Sequence, residues 1–478
     1  MTRNSTRALI LLPLLLSILA CQAVTRPFLQ ALEPSPTHPI LASRQPDTLA
    51  PASTDSSSAT ATPQASSTPR EGLHVRPTGT FPATPESTAE IQPTALSIQL
   101  QLDIFESLWT TINDEYLYPD FNGQDWDAVY SEFRQRIEAG LTNQEFYLAM
   151  SEMVNRLGDD HSIYKNPEEV ATEDAEYAGN VNFVGIGVLI SAIPEKGTAG
   201  ILVVFPGSPA EQAGLQSRDS ILTADGEAIL DGDGYLRDIV RGPEGSLVTL
   251  LVQTPGSEPR ELTITRRAIS GSIPVPYSVI SSPQGLRIGY IFLPSFTDST
   301  IDEQLGDALR DMTSVEPLDG LIIDNRENYG GADTVLRPIL SYFTSGVVGN
   351  FISRDDQRPL KVELEDINGS KDIPLVVLVG KNTVSYGEVF AGMLKDTGRA
   401  YLIGETTDGN VETLWGYDFD DGSRAWIAHD SFRPANHPDE DWEQTGIIPD
   451  QFLAANFYDY PLEADPAVLA ALEYFDSH

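Results

Sequence analysis

Residues 374–394 constrain the fold more than any other segment of this chain. Residues 374–379 form a continuous apolar run of strand length, and a small polar turn follows. Val389, Phe390, Met393 and Leu394 then recur at helical spacing. The pattern is a buried strand that turns directly into a helix. It places Ser385 at the carboxyl end of the strand and near the helix N-terminus. Backbone N–H groups and the helix dipole favour developing negative charge at such a point, which is the setting a serine nucleophile needs. A serine there can equally be a plain helix cap, so its neighbours must decide between the two.

Those neighbours continue the same grammar. Residues 287–293 read as a strand and 301–312 as a helix. Residues 318–324 are a strand that ends in Asn-Arg-Glu-Asn-Tyr-Gly-Gly, residues 325–331. A helix over 332–343 follows, then the Ser385 strand and helix, then a strand over 400–404. Strand–helix alternation over residues 285–475 predicts an α/β core.

Two other units precede it. Residues 98–170 read as helical: Ile104, Leu108, Ile112 and Tyr116 form one apolar face, and Trp126, Val129, Phe133 and Ile137 a second. Thr142 and Glu145 have capping-box spacing before a third face of Phe146, Met150, Val154 and Leu157. That helix runs into Leu-Gly-Asp-Asp-His-Ser-Ile-Tyr, residues 157–164. Residues 180–268 alternate short β-like runs with turns, including a glycine-bearing strand at 184–190 and a capped short helix at 207–215. A tight Asp-Gly turn falls within 219–229.

The formal net charge is −40. So acidic a chain lacks the basic surface that phosphate binding requires, so nucleic acid is excluded as a partner. The single cysteine, Cys21, rules out an intramolecular disulfide. It follows a basic start, Arg3 and Arg7, and an apolar run over residues 8–20 that is short for a bilayer span. Residues 1–20 therefore read as a secretory signal with a lipobox-like end. The resemblance to bacterial lipoproteins implies cleavage before Cys21, acylation of its thiol and attachment to an extracytoplasmic membrane face. Residues 21–97, rich in Ser, Thr, Pro and Ala, read as a disordered tether, with a rigid proline stalk as the alternative. No metal-ligand cluster or phosphate-binding glycine loop is visible, and no cofactor is expected.

Residues 180–268 resemble a PDZ domain, through Gly-Ser-Pro-Ala, Ala-Gly-Leu, Ile-Leu and Asp-Gly in that order. The resemblance implies that Gly185, Ile186, Gly187 and Val188 capture a peptide carboxylate with backbone N–H groups. Asp-Asn-Arg-Glu-Asn-Tyr-Gly-Gly, the Ser385 stretch, Gly-Arg-Ala-Tyr-Leu-Ile-Gly-Glu-Thr-Thr (398–407) and Trp-Glu-Gln-Thr-Gly-Ile-Ile-Pro-Asp (442–450) together resemble the carboxyl-terminal processing peptidases, or tail-specific proteases. The likeness covers nearly all of residues 100–450. It implies a multidomain α+β protein: an N-terminal helical domain, a PDZ-like β-rich domain and a ClpP/crotonase-like α/β catalytic core. It further implies a serine endopeptidase that acts on polypeptides.

One departure matters. Many members of that family use a Ser–Lys dyad, and the position of the lysine is Asn410 here, which cannot act as a base. Lys381 and Lys395 flank the serine but match no family position. A sister branch, the tricorn-type peptidases, uses a histidine base in a Leu-Gly-x-x-His-Ser-like motif, which residues 157–162 resemble. Between residues 98 and 475 the histidines are His161, His429 and His437. The resemblance implies Ser385 as nucleophile, His161 as base and Glu443 as its orienting carboxylate, with Asp159 or Asp160 as alternatives to Glu443. The expected oxyanion donors are the N–H groups of Gly330 or Gly331, plus that of Tyr386. A catalytically inactive peptide-binding or scaffold relative is the competing reading, and the missing lysine is its argument.

Overall fold

The computed structural model describes residues 95–159 and 161–478. The signal-like run, Cys21, the Ser/Thr/Pro segment up to residue 94 and Asp160 are not among them. The expectations placed on them lie outside the described residues. No helix among the described residues is long and apolar enough to cross a membrane.

The core sheet has six strands in the order Tyr277–Ser281, Arg287–Phe292, Gly320–Asp324, Leu375–Val379, Tyr401–Gly404 and Gln451–Phe452. The first pair is antiparallel and the rest are parallel. Leu375–Val379 is buried at every residue, which explains its unbroken apolar run: it is a central parallel strand covered on both faces. Helices Ile301–Met312, Asp333–Ser341 and Tyr386–Asp396 contribute to one large apolar cluster, and Pro466–Ser477 to a second, built on alternate residues of the same strands. The first cluster also takes in Phe105, Phe133, Phe146 and Met150 from the N-terminal helices. The helical unit and the core sheet therefore share one hydrophobic core, and the strong apolar faces of Ile98–Glu115, Trp126–Glu138 and Asn143–Asn155 are its inner surface.

A second sheet is made of Ile163–Lys165, Arg424–Pro434, Gly346–Ile352 and Gln357–Val362, with Thr413–Asp418 beside Arg424–Pro434. Here the structure departs from the sequence reading. Residues 163–165, read as part of a helical stretch, leave the helices and pair with Arg424, Ala425 and Trp426. The turn at Asp159 makes this possible: its carboxylate accepts from the N–H groups of His161 (3.1 Å) and Ser162 (2.6 Å) and from Ser162 Oγ (3.0 Å). A further helix, Pro167–Tyr177, carries a capping box from Asn166 and Glu169. His429, expected just after a strand, lies inside one.

The β-rich unit has its own apolar cluster and a sheet ordered Val188–Ile193, Thr198–Val204, Ser220–Ala224, Leu247–Gln253 and Arg260–Thr265. The expected Asp-Gly turn is Asp225-Gly226, both at positive φ, which matches a type I′ hairpin. A buried charge cluster joins this unit to the core. Arg218 reaches Asp465 (2.6 Å) and Asp324 (3.4 Å), and Arg326 reaches Asp465 (2.6 Å) and Asp324 (2.7 Å). Removing one partner would strand a buried charge at a cost of about 3–5 kcal/mol. Because Arg326 belongs to the Asp-Asn-Arg motif, the cluster ties the β-rich unit to the strand end that carries the site.

Candidate active site

Ser385 caps the helix Tyr386–Asp396 with φ 56° and ψ −127°. Ordinary caps in the same chain are extended: Ser97 at −66° and 151°, Thr142 at −68° and 164°, Ser208 at −71° and 162°. A non-glycine residue in the Ser385 conformation costs on the order of 1–3 kcal/mol and persists only where its surroundings enforce it. A sharp strand-to-helix turn of this kind presents a nucleophile, whereas a cap needs no such strain. Gly330 makes room beside it: a Cβ there would lie 2.7 Å from Ser385 Cβ, and the residue sits at φ +91°.

Glu388, which the sequence reading did not single out, holds this turn. It is fully buried. Its carboxylate accepts from the N–H groups of Ser385 (3.2 Å), Gly409 (2.8 Å) and Asn410 (2.8 Å) and from Thr407 Oγ1. Burial pushes its carboxyl up to about 7 against those hydrogen bonds. The Ser-x-x-Glu spacing at 385–388 was the signal that could have found it.

The structure brings His161 and Glu443 together across 282 residues. His161 Nε2 lies 2.9 Å from Glu443 Oε1, and Glu443 Oε2 accepts from Val411 N–H (2.7 Å) and Glu412 N–H (3.1 Å). A second acid faces the same imidazole: Glu412 Oε2 is 3.7 Å from Nε2, and Glu412 Oε1 accepts from the Tyr118 hydroxyl. Burial works against a charged His161. The Glu443 hydrogen bond and the charges of Glu412, Glu443 and Asp159 outweigh it and push the imidazole up to about 8. Burial also acts to raise Glu443, but His161 and the two N–H donors hold it below the usual carboxylate range. Burial pushes Glu412 up to about 7.

Asp159, the alternative to Glu443, is occupied with the 161–162 turn. Lys381 pairs with Glu405 at the surface, and Lys395 bonds the Ile448 carbonyl and Asp450. His429 stacks on Trp415 at 3.9 Å and meets Glu115 and Asp430, while His437 is exposed on Asp396. Of the two glycines expected in the oxyanion hole, one has its N–H engaged within the protein. The Gly330 N–H donates to Asn328 Oδ1 at 2.9 Å, and Gly331 packs so tightly on Phe296 that a Cβ would come within 2.0 Å of its carbonyl carbon. The Tyr386 N–H, first in its helix, has no intrahelical acceptor.

A cavity of about 720 Å³ unites these parts. Ser385, His161, Asn410 and Glu412 line one region of it, and residues 185–188 line another. The Gly187 position requires glycine, since a Cβ would lie 2.3 Å from Ser208 Cβ at φ +84°. The carbonyls of Ile186 and Gly187 are fixed by Ala210 N–H (2.8 Å) and Phe205 N–H (3.0 Å).

The comparisons with known proteins agree with this architecture. Residues 287–452 match the model of Peptidase family S41, residues 102–155 that of the Tricorn protease C1 domain, and residues 200–254 that of the PDZ domain. The chain is 31% identical over 393 residues to a carboxyl-terminal-processing protease of Synechocystis sp., covering 80% of this chain and 88% of that protein. It is 31% identical over 372 residues to the chloroplastic carboxyl-terminal-processing peptidase 2 of Arabidopsis thaliana, covering 74% and 69%. A solved photosystem II D1 C-terminal processing protease superposes with a TM-score of 0.51 at 26% identity, covering 75% of this chain and 94% of that one.

Proposed function

The chain belongs to peptidase family S41, among the carboxyl-terminal-processing proteases, and on that premise we propose that it is an extracytoplasmic, lipid-anchored serine endopeptidase working through Ser385, His161 and Glu443. The observation that carries the mechanism is the 2.9 Å contact between His161 Nε2 and Glu443 Oε1, with His161 lining the same cavity as Ser385. A serine hydroxyl needs an adjacent base, and with Nε2 given to Glu443 the Nδ1 nitrogen is left to serve Ser385.

In this mechanism Ser385 Oγ attacks the scissile carbonyl as His161 takes its proton. The Tyr386 N–H receives the oxyanion. The carbon–nitrogen bond then breaks as His161 returns the proton to the leaving amine, and water hydrolyses the acyl-serine by the same route. Glu443 orients the imidazole and stabilises its charged form. Asn410, in the place of the family lysine, contributes its N–H to Glu388 and lines the cavity.

The substrate is a polypeptide whose carboxyl terminus docks at Gly185, Ile186, Gly187 and Val188. Their position in the same cavity as Ser385 supports a PDZ-gated peptidase. The membrane anchor rests on Cys21 and the signal-like run before it. A fluorophosphonate probe separates this reading from the inactive scaffold. The peptidase reading expects one covalent label per chain on Ser385, and an unlabelled, folded protein would favour the scaffold.

A further inference from the structure

Glu412 is not needed by the mechanism above. One carboxylate suffices to orient an imidazole, yet a second is buried against the same nitrogen. Glu412 is 3% exposed, and its Oε2 has no hydrogen-bond partner. At 3.7 Å from His161 Nε2 that oxygen is too far for a hydrogen bond. A buried carboxylate oxygen without a donor calls for an explanation.

The pair of acids is built alike. Each carboxylate has one oxygen pinned from outside and the other turned to His161. Glu443 Oε2 is held by two backbone N–H groups, and Glu412 Oε1 by the Tyr118 hydroxyl. Metal-ligating carboxylates are held by outer donors in this way. The three inner atoms, His161 Nε2, Glu412 Oε2 and Glu443 Oε1, all lie within 4.8 Å of one another. Ligands at about 2.0–2.1 Å around a tetrahedral zinc are roughly 3.3 Å apart. The distances from Nε2, 2.9 Å and 3.7 Å, bracket that value. An imidazole with two carboxylates favours zinc over the all-oxygen preference of magnesium or calcium.

We propose that His161, Glu412 and Glu443 form an inhibitory zinc site at the wall of the catalytic cavity, which His161 and Glu412 line. The ion takes the Nε2 lone pair and is neutralised by the two carboxylates. The imidazole proton then resides on Nδ1, which becomes a donor and cannot accept the Ser385 proton. Zinc thus switches off the base without reaching the serine, and chelation restores it. The proposal rests on the catalytic assignment of His161 for its inhibitory effect, but not for binding.

The test separates the two. The full chain carrying Ser385→Ala is titrated with cobalt, followed by its visible absorption, and with zinc by calorimetry, so binding is read without activity. One saturable site per chain is expected, with tetrahedral cobalt bands. His161→Ala and Glu412→Gln should weaken it by more than roughly tenfold, the lower bound for losing even an outer partner. His437→Ala, at an exposed histidine, should leave it intact. In the wild type, zinc should block fluorophosphonate labelling and EDTA should restore it. No saturation below about millimolar metal, equal affinity in Glu412→Gln and His161→Ala, or labelling unaffected by bound zinc would overturn the proposal. Metal binding with an enzymatically silent wild type would support the site and sink the peptidase reading instead.

Discussion

Replacing Glu443 by glutamine tests the electrostatics of the base. In the wild type the imidazole is pushed up to about 8, because the Glu443 hydrogen bond and the surrounding acids outweigh burial. The amide keeps the shape of the side chain and removes its charge. Burial is then opposed only by the Glu412 and Asp159 charges, and the His161 midpoint should fall toward 6.5, the ordinary value. A drop of about 1.5 pH units corresponds to about 2 kcal/mol of lost stabilisation of the imidazolium. That agrees with about 1.5–3 kcal/mol for a hydrogen bond to a charged group. The base works only when neutral, so wild-type kcat/KM should rise with pH through about 8. The same rise in Glu443→Gln should be centred lower, near pH ~6.5. Its plateau should be about 10²–10⁴ lower, because the imidazolium formed during the reaction has lost its partner. Cleavage of a quenched peptide between pH 5 and 10 gives the profile, and the rate of fluorophosphonate labelling gives it again where turnover is weak. An unchanged midpoint in the variant would show that Glu443 does not govern the catalytic ionisation.

Other consequences follow from the same geometry. Gly330→Ala places a methyl 2.7 Å from Ser385 Cβ at a positive φ, and peptidase activity should fall by at least about tenfold while the fold survives, as read by turnover beside a thermal melt. Peptides with a free carboxyl terminus should bind more tightly than their amidated forms, and equal affinities in a titration would remove the carboxylate role of residues 185–188. Cys21→Ser should move the mature protein from the membrane to the soluble extracytoplasmic fraction on fractionation, and retention in the membrane would argue against lipid anchoring.

The parts of the site that were legible share one property: their chemistry coincides with a strong local pattern. Ser385 announces itself because a doubly covered parallel strand must be apolar throughout and the following helix has a 3.6-residue period. His161 is found through its motif and the rarity of histidine. Glu388 carried a local signal, the Ser-x-x-Glu spacing, whereas Glu412 was missed because the chain has 70 acidic residues and no local pattern marks this one as buried. Only the fold, which carries Glu412 to Tyr118 across 294 residues, decides it. Gly330 and Gly331 were expected to let the backbone approach the substrate; in the structure Gly331 packs against Phe296 and the Gly330 N–H donates to Asn328. The strand Ile163–Lys165 is three residues long, too short for any periodicity, and exists because its partner strand 261 residues later accepts it. The strain at Ser385 is likewise a tertiary product, since nothing in Val-Ser-Tyr-Gly demands a positive φ.

The identity of the base is the central claim, and His161→Ala measures it most directly. Turnover of an unfolded protein substrate by this variant should fall by several orders of magnitude, as loss of a triad member does, while Lys381→Ala, Lys395→Ala and Asn410→Ala stay far closer to wild type. Full activity in His161→Ala, with a severe loss in either lysine variant, would contradict the account and return the enzyme to a Ser–Lys mechanism.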